Sequence, residues 1–277
     1  MKEILAPAKE KGYGVGFFNA TTLEMARAVI ETAEELDSPV MVGTAEALLP
    51  TTDLERSSDM ILPLAEEASV PVCVHFDHGF SYEWCVRALH AGFTSVMYDC
   101  STLPYEENIR ALSEMVKICH AVGVSVEGEL GHVGDNDGSG KLGKPSDYYT
   151  DPEMALDFVR RTGVDALAVA VGNAHGDYQF TPKLDFERIE RISKDVGIPL
   201  VLHGGSGLAD DDFRIAVKKG ICKVNIFTDL DKAGREGLRK GIEAGVSSRT
   251  ALIPYELDAM KAVVAEKLTL FGSVGMG

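Results

Sequence analysis

His78 in VHFDHG, His175 in GNAHGDY and His203 in LVLHGGSG each follow a short apolar run and stand immediately before a glycine. Three imidazoles drawn from separate strands suit Zn²⁺, which takes nitrogen ligands tetrahedrally and, with three protein ligands, keeps a fourth position open for a reacting group. Each histidine taken alone is more often a hydrogen-bonded structural residue at a strand end; their common setting makes them a set. Asp77 directly precedes His78, so the two side chains leave the chain in different directions while staying near one ion. It is either a carboxylate that orients a ligating histidine or a general acid/base facing the substrate. We favour the second, because a carboxylate beside a cation stays ionised. Gly204, Gly205, Ser206 and Gly207 follow His203 and precede a helical pattern from Ala209. Backbone N–H groups in such a run can point at an anion, aided by the helix N-terminus. An ordinary tight turn is the plain alternative; adjacency to a metal ligand favours phosphate.

The elements that must position these residues are legible as alternation. Short apolar or β-branched runs recur near 14–19, 39–43, 71–76, 94–99, 124–129, 166–172, 199–203 and 222–227, with amphipathic patterns such as LEMARAVIETAEEL and DPEMALDFVRRTG between them. Ser, Asp or Pro opens several of these patterns and Gly closes them, as helix caps do. Strands buried on both faces and alternating with helices call for a parallel sheet. Eight such units predict a closed (β/α)₈ TIM barrel in a single domain over 1–277, with a doubly wound open sheet as the alternative. Catalytic groups of a barrel gather at the carboxyl ends of its strands. His78, Asp99, Glu129, His175, His203 and Asn225 all fall there. His75 is expected to hydrogen-bond within the core, His90 and His120 to ride on helices, and these three and His132 are given no chemistry.

Composition narrows the partners. A chain of 277 residues, 45% hydrophobic, can bury a large core, and its formal net charge of −16 argues against a nucleic-acid backbone as partner and supplies no membrane-binding patch. Five scattered cysteines without CxxC spacing indicate neither a disulfide framework nor a Cys-type zinc site and fit a reducing cytoplasm. The first residues, MKEILAPAKEKGYG, lack an apolar signal core, and no uninterrupted apolar stretch is long enough to cross a bilayer. The segment HVGDNDGSGKLGKPSDYY, with Asp135, Asp137, Lys141 and Lys144, is long enough to be a lid, which we expect over about 132–147. Its DNDGSG is not a calcium loop, since Ser146 stands where the terminal Glu is required.

HFDHG, MYDCS, VEGELG, GNAHG, HGGSG and KVNIFTD, in that order from about residue 12 to 231, resemble the class II, metal-dependent ketose-phosphate aldolases, the fructose- and tagatose-bisphosphate group. The resemblance implies that His78, His175 and His203 bind zinc, that Asp99 and Glu129 serve a second or alternate position for a divalent or monovalent cation, and that Asp77 transfers the proton. It implies that Gly176, Gly204, Ser206, Asn225 and Thr228 hold the dihydroxyacetone-phosphate half of a phosphorylated ketose, with Gly205 in the same glycine run. A cytoplasmic homo-oligomer, dimer or tetramer, is expected. Zn²⁺ would act as the Lewis acid in place of a Schiff-base lysine, and no lysine ends a barrel strand.

The departures concentrate on the aldehyde side. FFNATT puts Thr21 where an asparagine is usual, Ala45 replaces a serine, Phe227 adds bulk beside the phosphate site, and VSSRTALIPYE, with Arg249, replaces the usual DPRxY-like segment. A deoxy, uncharged or sulfonated aldehyde therefore competes with the usual phosphorylated one. A zinc barrel hydrolase lacks its paired strand-one histidines here, and a non-catalytic barrel predicts loss of Asp77 or of a histidine, neither of which is lost.

Overall fold

Eight parallel strands pair in sequential order and close on themselves: β1 (Val15–Asn19), β2 (Val40–Ala45), β3 (Val72–Gly79), β4 (Ser95–Tyr98), β5 (Ser125–Leu130), β6 (Ala166–Val169), β7 (Leu200–Leu202) and β8 (Ile221–Ile226). The computed structural model describes residues 1–133, 149–174 and 183–277. Among these, one helix follows each strand: α2 (Leu23–Glu35), α3 (Leu54–Glu67), α4 (Tyr82–His90), α5 (Tyr105–Ala121), α6 (Pro152–Thr162), α7 (Phe186–Val196), α8 (Asp210–Lys219) and α9 (Thr228–Glu243). Two more flank the set, α1 (Lys2–Lys11) before β1 and α10 (Arg249–Phe271) against α9 and α2. The fold is the expected (β/α)₈ barrel. No helix among the described residues is long and apolar enough to cross a membrane.

Local chemistry sets the helix limits. Thr22, Asp53, Ser81, Asp151 and Asp185 accept hydrogen bonds from first-turn N–H groups, and Gly163, Gly197 and Gly220 end helices in the left-handed conformation. Strand β6 stops at Val169, short of the expected 172. There the backbone leaves the ladder: Ala170 N–H donates to Thr150 Oγ1, and Val171 N–H to Asn173 Oδ1.

Two apolar regions flank the sheet. The larger lies between the barrel and its helices and includes Phe76, Phe93, Phe158 and Phe213. The smaller fills the amino-terminal end of the barrel, where α1 inserts Ile4, Leu5 and Ala8 beneath Phe17, Met41, Met97 and Val201. Strand side chains alternate with a period of two, so each inward series climbs the barrel in steps. The series run Phe17 to Asn19, His75 to Asp77, Glu127 to Glu129, Val201 to His203 and Lys223 to Asn225. The first member of each forms a middle layer, and the second faces the carboxyl-end mouth.

The α1 plug makes a checkable claim. Leu5 is fully buried, and Leu5→Ala is expected to cost about 2–5 kcal/mol through lost burial and the remaining void, measured by urea denaturation; a loss below about 1 kcal/mol would mean that α1 does not seal the barrel floor.

Candidate active site

Strand alternation would send Asp77 inward and His78 outward. Instead, the β3–β4 register shifts between Phe76 and Gly79, and His78 adopts φ +43°. That left-handed turn swings its imidazole back over the barrel mouth. Such a conformation costs a non-glycine residue about 1–3 kcal/mol and persists where surrounding contacts over-determine it. Those contacts are present: His78 Nδ1 donates to Asp99 Oδ2 at 2.8 Å, and His78 Nε2 lies 2.9 Å from His203 Nδ1.

The hydrogen bonds assign a nitrogen to each role. His203 Nε2 donates to Glu127 Oε1 at 2.9 Å, which leaves Nδ1 turned to the mouth, where it accepts from Asn225 Nδ2 at 3.0 Å. His78 is held through its Nδ1 and turns Nε2 to the same point. Both rings thus aim a ligating nitrogen at one spot while a carboxylate holds the opposite nitrogen, the arrangement of histidines around a divalent metal. Asp77, His78 and His203 form one group able to hold an ion, and His78, Asp99 and Glu129 form a second. Among the described residues, Glu129 Oε2, Asn19 Oδ1 and Asn225 Oδ1 are buried without hydrogen-bond partners, a donor set that a cation or ligand at the mouth would complete. The residues present fit a metal. His175 and Gly176 lie outside the described residues, as does the expected lid apart from His132 and Val133.

Asp77 is gripped from two sides. Asn19 Nδ2 donates to its Oδ2 at 3.1 Å, and Asn225 Nδ2 to Oδ1 and Oδ2 at 3.1 and 3.2 Å. Burial alone would push this carboxyl up, but His78, His75, Lys223 and His203 around it outweigh burial and hold it well below the usual range. Glu129 is the opposite case: burial, reinforced by Asp99, pushes it up to about 8. His78 resists burial because Asp77, Asp99 and Glu129 surround it, which raises it to about 9.

These groups open onto a cavity of about 390 Å³. Gly204, Ser206, Asn225 and Thr228 line it, as do the apolar Ala45, Leu48, Phe80, Val133, Ile226 and Phe227. Three sequence expectations need correction. The Gly205 N–H donates to Asn225 O at 3.1 Å, so it is not available to an anion; glycine is needed there because a Cβ would meet Asn225 O at 2.8 Å. The helix start bordering the cavity is that of α9, at Thr228, rather than that of α8 near Ala209. Thr21 does not line the cavity either, since its hydroxyl turns to Met25 Sδ at 3.5 Å. Asn19, two residues earlier and on the inward face of β1, lines it instead.

Asn19, Glu127, Lys223 and His132 escaped the sequence reading. His132 lines the cavity and meets Ser101 Oγ at 3.2 Å. The signal for Glu127 and Lys223 was their spacing: each stands two residues before Glu129 or Asn225 on the same strand face.

Comparison with known proteins decides the family. Residues 1–276 match the model of the family "Fructose-bisphosphate aldolase class-II". The chain belongs to the class II fructose-bisphosphate aldolase family. It is 42% identical over 286 residues to the fructose-bisphosphate aldolase of Geobacillus stearothermophilus, covering 99% of this chain and 97% of that protein. It is 41% identical over 271 residues to the protein YdjI of Escherichia coli K12, covering 97% and 95%. The crystal structure of that YdjI aldolase superimposes with a TM-score of 0.90 at 38% identity, over 99% of this chain and 97% of that one. The chain is thus an aldolase, a carbon–carbon lyase of a metal-dependent family.

The raised groups give a signed pH effect. Folded metal-free protein keeps protons on Glu129 and His78 that the unfolded chain releases near 4.5 and 6.5. Its stability should therefore fall as pH rises, the Glu129 contribution being lost between about 4.5 and 8 and the His78 contribution between about 6.5 and 9. Thermal melts of chelator-treated protein should show this loss, and Glu129→Gln should shrink it; an unchanged slope in that variant would remove Glu129 as a source.

Proposed function

We propose that the chain, acting as one catalytic unit over 1–277, is a zinc-dependent aldolase that reversibly cleaves a ketose 1-phosphate or ketose 1,6-bisphosphate into dihydroxyacetone phosphate and an aldehyde. The observation that carries this reading is Asp77, held ionised between Asn19 and Asn225 beside the converging His78 and His203. His78, His203 and, from outside the described residues, His175 would hold the ion, with Asp99 and Glu129 serving a second or alternate cation position. When bound, the ion would supply a Lewis acid that polarises the ketose carbonyl and stabilises the negative charge left on its oxygen.

The chain's own residues do the rest. Asp77 takes the proton from the hydroxyl at the breaking carbon–carbon bond and returns it in condensation. Gly204, Ser206, Asn225 and Thr228, beside the first turn of α9, hold the dihydroxyacetone-phosphate half of the substrate, together with Gly176. Fixing that half turns binding energy into orientation at the reacting carbons. A homo-oligomer, dimer or tetramer, working in the cytoplasm accords with a family of metabolic aldolases.

The apolar lining of the cavity favours a particular aldehyde. Ala45, Ala47, Leu48, Phe80 and Val133 belong to it, and no Lys or Arg lines the cavity among the described residues. Among the described residues, a phosphate there would lack the cationic donors that strong anion discrimination requires. This supports a ketose 1-phosphate whose far end is uncharged or deoxy.

Two measurements test these assignments. Chelation should abolish turnover, and Asp77→Asn should keep its metal while losing about 10²–10⁴ in kcat; metal-replete Asp77→Asn with wild-type turnover would remove Asp77 from the mechanism. For the aldehyde, kcat/KM for fructose and tagatose 1,6-bisphosphates is compared with a panel of ketose 1-phosphates. We expect neither bisphosphate to lead; a preference of about tenfold or more for one over the whole panel, roughly 1.4 kcal/mol in the transition state, means an ordinary bisphosphate aldolase.

A further inference from the structure

Three motifs that carry the mouth residues also carry an inward partner two positions earlier: His75 before Asp77, Glu127 before Glu129 and Lys223 before Asn225. All three partners are fully buried in the middle layer of the barrel, and none lines the cavity. Lys223 Nζ donates to Glu127 Oε2 at 2.7 Å and to His75 Nε2 at 3.3 Å, with the Phe17 ring centroid 4.6 Å away. His75 closes the group by donating from Nδ1 to Ser95 Oγ at 2.6 Å. The other oxygen of Glu127 takes the Nε2–H of His203.

We infer that Lys223 is a positioning residue: by holding Glu127 Oε2 it leaves Oε1 as an accept-only partner for His203 Nε2, and so fixes Nδ1 as the nitrogen that His203 offers to the metal. The argument is one of donors and acceptors. A carboxylate with one oxygen occupied by an ammonium can only accept at the other, so the His203 proton is committed to Nε2. Asn225 Nδ2, which donates to His203 Nδ1 at 3.0 Å, supports the same ring polarity from the mouth side. Lys223 also balances the charge of Glu127 where no water can, and it is sealed away from any substrate carbonyl, which excludes Schiff-base chemistry at this lysine. Without Lys223, Glu127 loses both its countercharge and the donor that pins it, and its hold on His203 loosens.

This role rests on the metal reading of His78 and His203, so the test reads metal binding rather than turnover. Co²⁺ is titrated into chelator-treated full-length protein, following its visible absorption, for wild type, Lys223→Met, Glu127→Gln and the double variant that combines the two substitutions. Lys223→Met should bind Co²⁺ about 10–100-fold more weakly, the usual effect of losing an outer partner of a ligand, with an altered spectrum. In the double variant the amide that replaces the Glu127 carboxylate can accept from His203 through its oxygen while its NH₂ turns toward His75, and no buried charge is left unmatched. The double variant should therefore bind Co²⁺ more tightly than either single variant. Should Lys223→Met not fold, Glu127→Gln against the double variant carries the same comparison. Wild-type affinity and spectrum in Lys223→Met, or a double variant no tighter than the singles, overturns the role of Lys223 alone. Wild-type protein that takes up no Co²⁺ overturns the metal reading and this role with it.

Discussion

A charge inside a closed barrel must find its partner among the barrel's own side chains. Glu127 is fully buried, and the only way to keep it ionised there is to set an opposite charge against it, which Lys223 does at 2.7 Å. Burial would push Glu127 up, yet Lys223, with His203 and His75, draws it down to about 2. Removing one member of such a pair typically costs about 3–5 kcal/mol, because the other is left uncompensated. The pair is also where the structural core meets the mouth: Phe17 lies against Lys223 from one direction, and His203 binds Glu127 from another. Apolar packing around α1 and a polar mouth are joined by one ionic layer between them.

Above that layer, the site depends on one irregularity. Regular pleating would give Asp77 to the barrel interior and His78 to the helices, separating two residues that the mouth needs together. The register shift in β3 and the left-handed φ of His78 reconcile them. The conformation is held by the Asp99 hydrogen bond on one side of the ring and by His203 on the other. The local strain is thus tied to the function of the mouth, the usual place for a non-glycine residue in this region.

Opposed carboxyl groups give the mouth its electrostatic character. Asp77 is kept ionised by the cationic and amide groups around it, whereas Glu129, close to Asp99 and short of donors, is raised to about 8. Groups of one kind driven apart in this way are the mark of a site that separates a proton acceptor from a residue awaiting a cation. The cavity lining is likewise mixed, with polar groups at Ser206, Asn225 and Thr228 and apolar ones at Leu48, Phe80, Val133 and Phe227.

Alternation of eight apolar runs with amphipathic helices determined the barrel, because strands buried on both faces and spaced by helices have few other ways to close. Position at a strand end likewise marked His78, Asp99, Glu129, His175, His203 and Asn225, and adjacency to His78 marked Asp77, since loops converge at one rim of such a barrel. Which nitrogen each histidine turns inward was not legible, because it depends on Asp99 and Glu127, carboxylates 21 and 76 residues away along the chain. The commitment of the Gly205 N–H to Asn225, and the bordering of the cavity by α9 rather than α8, were hidden for the same reason. The meaning of Lys223, a mid-strand residue, comes only from closure: β3, β5 and β8 are far apart in sequence, but a barrel sets their inward side chains against one another in a space closed to solvent. Sequence periodicity fixes which face a side chain takes; only the closed sheet decides what it meets there.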